Sequence, residues 1–354
     1  MSVDILDVFN SNAFGVSSLT AAVNLITPTY NRLGDLGLFV KEGVTQRTAV
    51  VDFDPITNSL LPRSQWGGPG VANKTALTKA HNFNIPHYPV NDTILASDIM
   101  GRRRPGTDAV LDAQFVLAKK MAEMKRKLEQ QQEWQRLGVL KAGQVKDGAG
   151  NLILDLYSEF GISQTSTSFV LGTTTTDVMG KIAAVKRNII TALQGESITG
   201  FIALCSDSFY DAFVSHANVK AAFTYFQNAN GQNLAQDYSG GSNVAGRVRG
   251  FVFGGGDLPV TWINYTGTVS DCSSTPTQQP LIDSNSAYLL PTGTSVFREW
   301  YAPADYVETV NTEGMPFYAK QELMRFGKGI ELECQSNPLP VCLKPAVVQK
   351  LTVS

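Results

Sequence analysis

The feature that most constrains this chain is an uninterrupted run from Thr107 to Leu137 that contains neither glycine nor proline. Within it, Leu117, Met121, Met124 and Leu128 recur at steps of four, three and four, the spacing of one apolar helix face. Thr107 or Asp108 can cap its start, and Gly138 stands just past its end. About 30 residues at 1.5 Å each make a rod of roughly 45 Å. That is far longer than the usual helix of about 11–12 residues, and it crosses an entire domain. Lys119, Lys120, Lys125, Arg126 and Lys127 lie on this rod, with Arg102-Arg103-Arg104 just before it. The cluster is open to two readings. One is contact with DNA phosphates. The other is a solvated face on which Glu123 and Glu129 pair with the lysines, or salt bridges from that face to a neighbouring subunit.

What precedes the rod is not a domain. Residues 1–45 carry short apolar clusters broken by Pro28, Gly34 and Gly37. Leu19 to Ile26 predicts one short helix, too short to be stable alone in water, so the segment must bury its apolar side chains elsewhere. Residues 45–90 read as a long β-ribbon, with strands in VTQRTAVVDF and FNIPHYPV and a tip at LPRSQWGGPGVANK. Pro55, Pro62, Pro69, Pro86 and Pro89 argue against a central strand. A two-stranded ribbon is barely stable by itself and needs neighbours.

After the rod, Leu140–Leu156 predicts a hairpin around Asp147-Gly148. Residues 173–195 predict a helix with Val178, Ile182, Val185 and Ile189 on one face, ended at Gly195. A buried strand follows at Gly200–Leu204, then a helix begun by Ser206 and another in NVKAAFTYF. Residues 228–247 and 266–286 read as loops, with strands in VRGFVFGG and LPVTWINY between them and others around Tyr288 and Val296. A hairpin through Gly327-Lys328-Gly329 closes the chain. The expected architecture is α+β: a compact insert at 173–286 within a body made of 91–172 and 287–354, preceded by long arms.

Chemistry is sparse. Cys205, Cys272, Cys334 and Cys342 form no CxxC pair, so reduced thiols are the expectation. His81 and His87 lie six apart on the expected ribbon and face one side if the strand is regular. They have no further metal ligands nearby and read as exposed or interface histidines. His216 follows a helix and reads as a partner of its C-terminal dipole. Gly254-Gly255-Gly256-Asp257 has the wrong spacing for a dinucleotide loop and reads as a turn or bulge between strands. A hydrolase using Cys205 or Ser206 is the enzymatic alternative, with no nucleophile elbow to support it. No catalytic, cofactor or metal residue is therefore assigned. Net charge is −2, which provides no overall pull toward nucleic acid or membrane. No apolar run reaches the ~20 residues that span a bilayer, and the N-terminus lacks the basic and apolar regions of a signal peptide. Only 17% of residues are charged, against about 25% in typical soluble domains. A surface that poor in charge points to one covered by other copies.

Several stretches carry a family resemblance. AFGVSSLTAAVNLITPTYNRLGDLGLF, the RLGVLKAG stretch with DGAGN after it, and IALCSDSFYDAFVSHANVKAAF each contribute. The most specific are LLPTGTSVFREWYAPADYVETVNTEGMPFYAK and ECQSNPLPV. Together they resemble the major capsid proteins of lambda-like tailed phages, the capsid protein E family, over nearly the whole chain. The resemblance implies the Hong Kong 97-type capsid fold. It implies an N-arm at 1–45, an extended E-loop at 46–90, a P domain at 91–172 with its spine helix at 107–137, an A domain at 173–286, and the rest of the P domain at 287–354. It implies a structural protein, not an enzyme, that self-assembles into hexamers and pentamers of an icosahedral virion shell around double-stranded DNA. Its partners would be other copies of itself, a scaffolding protein, a portal protein and a decoration protein at threefold positions, with no membrane. The arm begins almost at Met1, so scaffolding is expected from a separate protein. Covalent crosslinking, for which Lys74 or Lys79 and Asn337 would be the residues, is not general in the lambda-like branch. An encapsulin-like compartment around a protein cargo is the alternative on the same fold. Intersubunit contacts are expected at Arg63 and Trp66 on the ribbon tip, at Lys74, and at Phe9 and Phe14 in the arm.

Overall fold

The structure, a computed structural model, describes residues 16–25, 32–53, 63, 65, 66, 79–99, 113–221, 250–254, 258, 260–272 and 276–354. In chain order the elements begin with helices α1 (Val16–Leu25) and α2 (Arg32–Asp35), then strands β1 (Val40–Gly43), β2 (Thr48–Phe53), β3 (Lys79–Asn84) and β4 (Tyr88–Leu95). Helix α3 (Ala96–Ile99) leads toward the rod α4 (Ala113–Ala142), followed by β5 (Gln144–Lys146), β6 (Leu152–Asp155), α5 (Leu156–Phe160) and β7 (Thr165–Ser168). Then come α6 (Val178–Leu193), β8 (Gly200–Cys205), α7 (Asp207–Ser215), β9 (Gly250–Phe253), β10 (Val260–Asn264), β11 (Thr268–Ser270) and β12 (Gln278–Pro280). The chain continues through β13 (Ser286–Thr292), β14 (Phe297–Tyr301), β15 (Tyr318–Leu323), β16 (Gly329–Ser336), β17 (Pro338–Cys342) and β18 (Gln349–Thr352).

A mixed six-stranded sheet runs β7-β18-β13-β8-β10-β9. Its inner strand β8 is apolar along its length because both faces are covered, and Phe201 to Cys205 are all buried. Trp262 of β10 lies at the centre of an aromatic cluster with Phe169, Phe209 and Phe213. Its indole N–H donates to the Phe253 carbonyl at 3.1 Å, so the ring is buried without an orphaned donor. Helix α6 lays Val178, Ile182, Val185 and Ile189 on this core, as its periodicity predicts. Asp177 caps it through the Gly180 amide. Strand β8 and the Ser206 cap of α7 also match their expectations.

A second, antiparallel sheet, β15-β16-β4, packs one face against α1 and α4. There Leu19 and Val23 of the arm helix meet Leu117, Met121, Met124 and Leu128 of the rod, together with Ile330 and Leu332. The short arm helix is held because Leu19 and Val23 are buried in its own chain, while Leu25 at its end stays exposed. A third sheet, β1-β14-β17, joins the segment after α2 to the body by parallel pairing of β1 with β14.

Several expectations change. The rod runs to Ala142, and Gly138 sits inside it. A Cβ there would lie 2.3 Å from the Gln144 carbonyl oxygen, so this glycine permits a close approach of backbone. Gly143, at φ +61°, follows the last turn and donates to Val139 O. The expected start at Thr107 or Asp108 lies outside the described residues, as do 228–247, Arg102, Arg103 and Arg104. FNIPHYPV is split. Residues through Asn84 pair with β2, and those from Tyr88 join β16, because a kink at Ile85–His87 moves the chain from ribbon to sheet. Residues 266–286 are more than a loop. β11 and β12 pair, and Val269, Leu281 and Ile282 are buried. The β15–β16 hairpin does not close the chain, since β17 and β18 follow it into two other sheets.

Candidate functional site: a polar seam and the surfaces it positions

The second half of α4 carries polar side chains into the interior. Gln132, Glu133, Gln135 and Arg136 are all buried. Burial of this kind is tolerated when each group finds partners. Arg136 forms a fork with Glu299 of β14, Nε to Oε1 at 2.9 Å and Nη2 to Oε2 at 2.8 Å. Tyr301 donates to the same carboxylate at 2.7 Å. Burial alone would lower the Arg136 pKa, but the facing Glu299 reverses that, and the guanidinium is held firmly charged. Burial pushes the Tyr301 phenol up, with Glu299 adding to it.

One turn earlier, the Glu133 carboxylate accepts from the Leu33 amide at 3.0 Å and from the Tyr265 hydroxyl. Arg136 lies 3.8 Å away. Gln132 donates to Ser336 Oγ and Gln135 to the Tyr88 hydroxyl. This stretch of helix thus ties together the arm, the six-stranded sheet and both three-stranded sheets. Near the other end, Lys125 donates to the Val23 carbonyl at 2.9 Å, in the last turn of α1, with Glu129 at 3.8 Å. Lys125 is 4% exposed, so it does not lie on a solvated face, although the expected i,i+4 pairing with Glu129 is present. Burial lowers its pKa, opposed by Glu129. Lys119 pairs with Glu123 on the exposed side, and Lys120 reaches Asp92 at 2.7 Å.

The seam sets where the extended parts leave the body. Among the described strands, β2 and β3 pair only with each other. Their base is pinned by the Ile85 amide on the Arg47 carbonyl, by the Arg47–Asp305 ion pair, and by His81 against Glu159 at 3.4 Å. Ala49 and Phe83 face inward, while Val50 is exposed. Further out, Arg63 is exposed and Trp66 is 106% exposed. Lys74, Phe9 and Phe14 lie outside the described residues.

No catalytic arrangement forms among the described residues. His81 and His87 do not share a face. His81 stacks near Phe83 and Phe160, and His87 lies beyond the ribbon with Nδ1 2.9 Å from Asn337 Oδ1. Asn337 is buried, and its amide donates to the Pro303 carbonyl. His216 caps the C-terminus of α7, as expected, and is buried there. It accepts from the Asn218 amide at Nδ1 and meets the Thr173 carbonyl at Nε2, the pattern of the neutral ring. Burial pushes the Cys205 thiol up, and those of Cys334 and Cys342 up to about 12, which disfavours a reactive thiolate. Ser206 Oγ caps α7 through the Phe209 amide. Gly254, at φ +112°, turns the chain between β9 and β10, and its carbonyl accepts from Lys186. The seam itself was not foreseen. Gln and Glu at helical spacing carry no mark of burial, and their partners are distant in sequence.

Residues 15–353 match the family described as phage major capsid protein E. The chain is 26% identical over 351 residues to the major capsid protein of Pseudomonas phage KPP10, covering 96% of this chain and 97% of that one. It is 25% identical over 358 residues to the major capsid protein of Salmonella phage Felix O1, covering 95% of each. Among solved structures, a protein described as a prophage capsid protein of E. coli CFT073 aligns with a TM-score of 0.52 at 13% identity, covering 94% of this chain and 95% of that one. At that identity the likeness speaks to the fold alone.

Proposed function

The chain belongs to the phage major capsid protein E family, and from that premise we propose how its parts build a shell. It is a structural protein of the virion shell, with the Hong Kong 97-type α+β fold, and it assembles with copies of itself; it is not an enzyme. No described helix is long and apolar enough to cross a membrane.

The finer reading is a subunit of hexamers and pentamers in an icosahedral shell around double-stranded DNA. Residues 1–45 act as the N-arm and 46–90 as the E-loop. Residues 91–172 and 287–354 form the P domain, and 173–286 the A domain. The observation that carries this reading is the β2–β3 ribbon. It is pinned at its base and pairs with no other described strand, and a lone ribbon of this kind needs neighbours to be stable. Arg63 and Trp66 then anchor the ribbon on an adjacent subunit, since exposed Trp and Arg are the residues that dominate interface energetics. A scaffolding protein guides assembly, a portal protein occupies one vertex, and a decoration protein sits at threefold positions.

Electron microscopy of the purified chain, expressed with and without a scaffolding protein, tests the reading. Closed shells, or rings of six and five, are expected. A monomer or dimer under every condition overturns it. Trp66→Ala should fold normally and assemble weakly; shells of unchanged yield and stability would remove Trp66 from the interface.

A further inference from the structure

The tip of the β15–β16 hairpin is a cationic, aromatic surface with nothing packed on it. Phe326 is 82% exposed, Arg325 stacks over its ring at 5.4 Å, and Lys328 is exposed beside them. The turn is closed by the Gly327 amide on Met324 O and the Met324 amide on Gly329 O, each at 2.9 Å. It holds Phe326 at φ +69°, which bulky residues seldom adopt. The tip is therefore a formed surface.

The stem of the same hairpin is acidic. Its outer face, opposite the packed one, borders a groove of about 490 Å³ lined by Asp92, Asp305, Glu322, Glu331 and Glu333, with Lys320 as the one cation. Lys320 is engaged by Glu308 at 2.8 Å, and Asp92 and Asp305 are matched by Lys120 and Arg47. Glu322 and Glu331 are directly opposite each other across the strands. Like charges in that position destabilise a sheet, and neither has an ion-pair partner among the described residues.

We propose that the Arg325-Phe326-Lys328 tip of one copy docks into the Glu322–Glu331 groove of a neighbouring copy. This rests on the self-assembly reading above and names one contact within it. Charge complementarity selects the occupant. The tip brings two cations and a ring, and the groove offers Glu322 and Glu331, each without an ion-pair partner among the described residues, beside the Tyr306 side chain. Tip and groove are different surfaces of one chain, so the contact is heterologous. Each copy gives its tip to one neighbour and receives another's, which generates a ring when the rotation closes.

Two charge-reversed forms of the full chain test this. One is Arg325→Glu with Lys328→Glu, the other Glu322→Arg with Glu331→Arg. Each alone should lower shell yield about tenfold or more at low salt, because like charges then face each other across the contact. A chain carrying all four substitutions should restore yield, since every tip then again meets a groove of opposite sign. Thermal unfolding of each unassembled form controls for folding. If wild-type chain forms no shells, the assembly reading fails and takes this contact with it. If wild-type chain forms shells and both variants match its yield and salt dependence, or if the chain with all four substitutions folds but restores nothing, the tip–groove contact alone is overturned.

Discussion

From Ala113 to Leu128, α4 behaves as a surface helix: an apolar stripe faces inward, and Lys119, Glu123, Arg126 and Lys127 face out. From Glu129 to Ala142 the same helix is enclosed, and polar side chains occupy much of what it buries. The first half is held mainly by packing of Leu117, Met121, Met124 and Leu128, which needs only shape and area, with the buried Lys125 bonded to the Val23 carbonyl. The second half is held by Glu133, Arg136 and their partners, which need specific atoms at specific distances. Non-directional packing suits a support for the arm helix. Directional pairing suits a junction where arm, ribbon and sheets must leave the body at fixed angles.

The contrast can be broken most strongly at Arg136. Arg136→Met strands the Glu299 carboxylate in the interior, which should lower unfolding free energy by about 3–5 kcal/mol. Lys127→Met, on the exposed face of the first half, should stay within about 0.5 kcal/mol. Denaturant unfolding of the unassembled chain measures both, and similar small losses would mean the seam contributes no more than the surface. Next, Met124→Ala in the apolar stripe should cost about 3 kcal/mol, as a cavity and a transfer loss. It should loosen α1, read as faster proteolysis of the arm, and leave the seam intact.

Gly138→Ala sharpens the comparison within the second half. Its Cβ would press on the Gln144 backbone, so about 1–3 kcal/mol should be lost. A stabilised variant would instead show that α4 can shift there. The smallest effect concerns Asp92, which clasps Lys120 of the first half. Burial raises the Asp92 pKa, but the bonds from Lys120 and the Thr93 amide outweigh that, so it lies below the usual carboxylate range. A depressed folded pKa contributes stability that is present above the unfolded value of about 3.9 and lost as pH falls through the folded value. Asp92→Asn should cost less than about 1 kcal/mol at pH 7. It should also flatten this acid limb when unfolding midpoints are followed from pH 5 down to pH 2. A limb of unchanged steepness would assign the acid response to other carboxyls.

Local pattern reached a good part of this molecule. The stripe on α4, the buried face of α6, the Asp147-Gly148 hairpin and the Ser206 cap all follow from spacing and turn chemistry that a few neighbouring residues carry. The quoted motifs reached the family. The seam stayed hidden because Glu133 finds Leu33 100 positions away and Arg136 finds Glu299 163 positions away. Nothing local distinguishes a glutamate that faces water from one that faces an amide across the core. The same holds for Lys125, which sits among exposed lysines in sequence and is buried in the fold.

By itself, then, the sequence determined a rod, a short helix and a β-ribbon ahead of it, a mixed α+β body and a capsid family, because periodicity, turn residues and motifs are written in consecutive positions. Only the tertiary structure decided which polar side chains are interior and which strand pairs with which. It also decided that Glu322 stands opposite Glu331 across the β15–β16 pair. Those outcomes depend on what lies across a sheet or a helix, and a charge is stabilised or stranded by its surroundings, not by its place in the chain.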